Sequence, residues 1–78
     1  MSLTDQAAAL FASRLQPSEH PGSAGVAAAI RSSLRTNGGA PGCAAVVAVE
    51  YGEHPETAAA RMRWALHTVT TAPVAVAA

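Results

Sequence analysis

The chain has 78 residues, five arginines, no lysine, five acidic residues and no net charge, and alanine fills 20 positions. That length suits one small domain, which buries only about 60% of its unfolded surface. The charge balance argues against a strong non-specific nucleic-acid binder, and the single cysteine, Cys43, rules out a disulfide within the chain.

Alanine is the strongest helix former, so the composition leans to an all-α domain. Four helices are predicted. The first spans about Thr4 to Gln16, where Leu3, Ala7, Leu10, Phe11 and Leu15 recur at helical spacing. Ser2 or Thr4 is its expected cap, Asp5 suits its positive end, and Pro17 is its expected stop. Ser18 to Gly25 reads as a flexible linker. The second helix is expected from Ser23 to Thr36, with Val26, Ala27, Ile30, Ser33 and Leu34 inward and Arg31 and Arg35 outward. Asn37, Gly38 and Gly39 form its stop signal.

The third helix is expected to start near Pro41 or Gly42 and to end at Tyr51. Its valines Val46, Val47 and Val49 also permit a strand, but the apolar run is continuous rather than alternating, which favours helix. The fourth helix opens with Pro55, carries Glu56 in its first turn and fades near Thr70. Ala58, Met62, Ala65, Leu66 and Val69 make its expected inward stripe. A domain over residues 1–72 is followed by a short tail, 73–78, expected to be mobile.

Val47 to Leu66 has the spacing of a helix-turn-helix. Ala48 is the small residue facing the next helix, and Gly52, four positions on, is the turn residue that would take a positive backbone angle. Val47 and Tyr51 are expected in the core. The run Ala48, Glu50, Gly52, Thr57, Arg61, Met62, Ala65, Leu66 resembles the helix-turn-helix in the C-terminal, promoter-reading region of bacterial sigma factors. Glu53, Ala58 and Trp64 depart from that pattern. The resemblance implies a second helix reading double-stranded DNA in the major groove, with Thr57 and Arg61 at the interface. Glu56 and Arg63 share that region, and Glu50, Glu53 and Glu56 would repel phosphates there.

The remaining reactive residues point to no chemistry. His20, His54, His67 and Cys43 lack the paired short spacings of structural zinc sites, so no metal or cofactor is expected. Cys43 reads as a small buried residue rather than a nucleophile. No phosphate loop or nucleophile elbow appears, so an enzyme is not expected. A lone thiol, no secretory leader and no membrane-length apolar run fit a cytoplasmic protein. Trp64 either covers Phe11 and Leu15 or stands exposed as a partner contact. The leading expectation is a small dimeric DNA-binding or transcription-associated regulator. The alternative is a helical protein-interaction or dimerisation module that binds no DNA.

Overall fold

The computed structural model describes residues 1–71, and among these the chain is all-α. The helices are α1 (Leu3–Phe11), α2 (Ser23–Asn37), α3 (Gly39–Glu53) and α4 (Pro55–Thr71), with one 3₁₀ turn at Pro17–Glu19. The valine-rich segment is helical, so the strand alternative is settled against. The expected tail, 73–78, lies outside the described residues.

Ser2 caps α1 by accepting the Asp5 N–H at 3.0 Å, as its residue type leads one to expect. The helix then ends at Phe11, five residues before the expected end at Gln16. Two competitors for the backbone explain this. The Ser13 hydroxyl donates to the Leu10 carbonyl at 2.6 Å and accepts the Leu15 N–H at 3.2 Å, which turns the chain locally. Arg61 also takes carbonyls of this segment, as described below. The supposed linker is not featureless either. The Glu19 carboxylate accepts the Gln16 N–H at 2.7 Å, and His20 adopts a left-handed conformation with φ 48°.

Gly38 and Gly39, at φ 81° and 84°, make the bend from α2 into α3, where the stop signal stood. α3 begins at Gly39, so Pro41 falls in its first turn, where a missing N–H costs no hydrogen bond. Just after the bend the two helices meet so closely that a Cβ on Gly42 would lie 1.5 Å from the Asn37 carbonyl oxygen. Only glycine admits that approach.

The break between α3 and α4 differs from the expected glycine turn. Gly52 lies within α3 and has no positive φ, and the single break residue is His54, at φ −139° and ψ 66°. Proline is the cause, because the residue preceding it avoids the helical region. One residue therefore separates the helices, where a helix-turn-helix has a turn of three or four.

Ala7, Ala9, Leu10 and Phe11 of α1 meet Val26 and Ile30 of α2, Cys43 of α3, and Ala58, Ala65 and Val69 of α4 in one core. α1 and α3 each pack against all three other helices. Full burial of Leu10 and Ile30 contributes roughly 1.5–3 kcal/mol each. The small alanines let the short helices approach closely. Several expected core residues stand outside. Leu66 is 43% exposed and Ala48 faces solvent. Tyr51 is 39% exposed, with its ring stacked on Phe11 at 6.3 Å between centroids.

Candidate functional site

The residues expected to read DNA sit on the first three turns of α4, and the structure divides them. Glu56, Thr57 and Arg63 are exposed. Arg61 is not free. Three residues past buried Ala58 and four before buried Ala65, it points inward towards the end of α1. Its Nε–H donates to the Phe11 carbonyl at 2.8 Å. Its Nη2 donates to the carbonyls of Leu15 at 2.9 Å, Ser13 at 3.0 Å and, more loosely, Leu10 at 3.4 Å.

A helix leaves its last carbonyls without partners and with a partial negative charge, so a guanidinium is well matched to the end of α1. Arg61 fills this role from 50 residues away in sequence. Its charge also lies over the rings of Trp64 at 4.9 Å and Phe11 at 6.0 Å. Burial lowers its pKa from the ordinary arginine value through desolvation. That ordinary value is high enough for the group to stay charged at neutral pH.

One reading is narrowed here and one open alternative is resolved. Arg61 is a clasp between α4 and α1, and a DNA contact would require it to abandon those carbonyls. Of the two outcomes open for Trp64, packing is the one found: it is half-buried against the core with Arg61 over its face, rather than standing exposed as a partner contact. Helical spacing carried the signal for the clasp, since position 61 lies on the same side of α4 as Ala58 and Ala65. Residue type alone suggested a phosphate contact instead.

With Arg61 engaged, Arg63 is the other arginine of α4, and its side chain is exposed. Cys43 is fully buried, its Sγ 3.6 Å from the Ser33 hydroxyl oxygen. Among the described residues no three His, Cys, Asp or Glu side chains gather to hold a metal ion. No described helix is long and apolar enough to cross a membrane.

The described residues also form two concavities of note. An open concavity of about 230 Å³ lies between the end of α1, α3 and the start of α4, lined in part by Glu50, Thr57 and Arg61. An open cleft of about 670 Å³ runs between residues 12–19 and α2, with Arg14, Ser32 and Thr36 on its walls.

The other surface of note is the outer side of α3. Pro41, Ala44, Ala45, Ala48, Val49 and Gly52 follow one another at helical spacing, and all but one lack any polar or large side chain. Val49, the largest, is 54% exposed. Gly52 shows no positive φ, and a Cβ there would meet nothing within 4 Å, so no intrachain contact requires glycine at that position. Compared with protein-family models, curated proteins and solved structures, the chain matches none.

Proposed function

We propose that this protein is a non-enzymatic helical interaction module that self-associates through the outer face of α3. One observation carries the reading. From Gly39 to Val49 no side chain is charged, yet of this stretch the fold fully buries Cys43 alone. A helix that is apolar all round is ordinarily covered on all sides. Two copies of such a face meet about a two-fold axis without burying any charge, and small side chains let their backbones come close. A domain of this size also gains stability from association.

Sedimentation equilibrium over a concentration series tests the proposal. A monomer–dimer equilibrium is expected, and Val49→Glu or Ala45→Arg should shift it to monomer while preserving the helical spectrum. A wild-type protein that stays monomeric up to about 1 mM, an affinity limit near 4 kcal/mol, defeats the reading.

The exposure of Thr57, Glu56 and Arg63 on α4 favours a second reading, a dimeric reader of double-stranded DNA. Its contacts would be those residues without Arg61. Anisotropy titration with mixed duplex DNA at low salt tests it, with Arg63→Ala expected to weaken binding and flatten the salt dependence by about one unit of slope. No binding at low salt, or no effect of Arg63→Ala, removes it.

A further inference from the structure

The two ends of α3 differ in charge. At each bend the negative end of one helix meets the positive end of the next, so the side chains set the local sign. No acidic residue occurs between Glu19 and Glu50, and no arginine between Arg35 and Arg61. Exposed Arg35 stands in the last turn of α2, within one helical turn of the bend at Gly38 that starts α3. Arg14 and Glu19 line the cleft beside Thr36 and Asn37, but they are one of each sign and leave that end positive. At the other end Glu53, exposed, is the last residue of α3, Glu50 lies in the same turn, and Glu56 follows in the first turn of α4. Arg61 is turned onto the carbonyls at the end of α1, and three carboxylates outweigh it.

Distance keeps the two signs apart. α3 has 15 residues, so its ends lie about 20 Å from one another at a rise of roughly 1.5 Å per residue. That is more than twice the roughly 8 Å screening length at physiological salt. Each end therefore presents its own sign although the whole chain is neutral. Between them runs the uncharged outer face from Pro41 to Gly52, and Glu53, four residues after Val49, borders it on one flank. A two-fold axis can join two such faces with the helices parallel or antiparallel. Parallel helices set arginine end against arginine end and glutamate end against glutamate end. Antiparallel helices set each end against its opposite.

We infer that two copies of this chain pair with their α3 helices antiparallel, the Arg35 end of each set against the Glu53 end of the other. This arrangement rests on the self-association proposed above and gives its geometry. The apolar face supplies contact area, and the charged ends supply orientation. Exposed ion pairs contribute little affinity each, but the parallel alternative places like charges together at both ends and is disfavoured twice over. A partner of other sequence needs an uncharged helix of this length with one basic and one acidic end, which a second copy of the chain already carries.

Sedimentation equilibrium of the full chain at about 0.05 M and about 0.5 M sodium chloride reads the orientation. An antiparallel dimer should weaken about threefold or more with the added salt, because opposite charges face one another. A dimer that holds or tightens with salt overturns this arrangement and leaves self-association standing. Arg35→Glu and Glu53→Arg should each weaken the dimer about tenfold. The chain carrying both changes should return to within about twofold of the original affinity, since each pair is restored with its signs exchanged. In a parallel dimer each single change leaves like facing like, so unchanged affinity in both variants also overturns the arrangement. Glu53→Arg places a basic residue in the last turn of α3 and should raise the melting temperature of the dilute protein while weakening the dimer, which misfolding does not produce. A chain that stays monomeric up to about 1 mM defeats self-association and this arrangement together. The salt comparison uses the unaltered protein, so a variant that fails to fold leaves the test decisive.

Discussion

Replacing Arg61 by alanine removes one charged group and strands several carbonyls at once. Three of its hydrogen bonds are short, at 2.8, 2.9 and 3.0 Å. A hydrogen bond to a charged group contributes about 1.5–3 kcal/mol when buried. Arg61 is only half-buried and water reaches part of the site, so about 1 kcal/mol per bond is the better figure. Loss of the stacking on Trp64 adds about 0.5–1 kcal/mol. The total is close to 3–4 kcal/mol, a large part of the roughly 4–12 kcal/mol expected for a chain of this length.

For a domain of this size that corresponds to a melting-temperature drop of at least about 12 °C. Thermal unfolding by circular dichroism measures it. Arg61→Lys should recover only about a third of the loss, because an ammonium keeps the charge but not the planar fork that reaches several carbonyls together. Hydrogen exchange should show the amides of α1 losing protection first. If Arg61→Ala costs less than about 1 kcal/mol, or if Arg61→Lys restores full stability, the clasp is not what holds α1 in place.

Gly42→Ala forces a Cβ onto the Asn37 carbonyl, which cannot move without shifting the α2–α3 bend, and should cost about 3 kcal/mol or more in a urea titration. Ser2→Ala removes the cap of α1 and should cost about 1 kcal/mol, with the loss visible in the same experiment. Gln6 is buried and its Oε1 has no partner among the described residues. Gln6→Met should therefore stabilise the protein by about 1 kcal/mol, and a lower melting temperature would show that the amide is better satisfied than its geometry indicates. Gly52→Ala should raise monomer stability by about 0.5–1 kcal/mol, since the position is helical and open, and should weaken self-association if the partner backbone approaches there.

Helix identity and most boundaries were legible from local signals. Alanine content, the Ser2 cap, the Asn37-Gly38-Gly39 stop and Pro55 act within a few residues of themselves, and each acts in the fold where the chain places it. Where two local signals competed, the stronger constraint prevailed. Gly52 permits a turn but does not demand one, whereas Pro55 excludes a helical His54, so the break moved two residues onward.

The side chains that define the surface depended on contacts across the chain. Whether Arg61 meets a phosphate or a backbone carbonyl depends on where the end of α1 lies, and that is 50 residues distant in sequence. The early end of α1 likewise depends on a guanidinium from α4. The sequence by itself determined four helices and their main breakpoints, because propensity, capping and proline geometry are short-range. Only the tertiary structure decided which faces stayed bare and which charges were spent internally. Burial and hydrogen-bond satisfaction are properties of the packed whole, and they make Arg61, which residue type and spacing alone assign to a DNA contact, the fastening of the first helix.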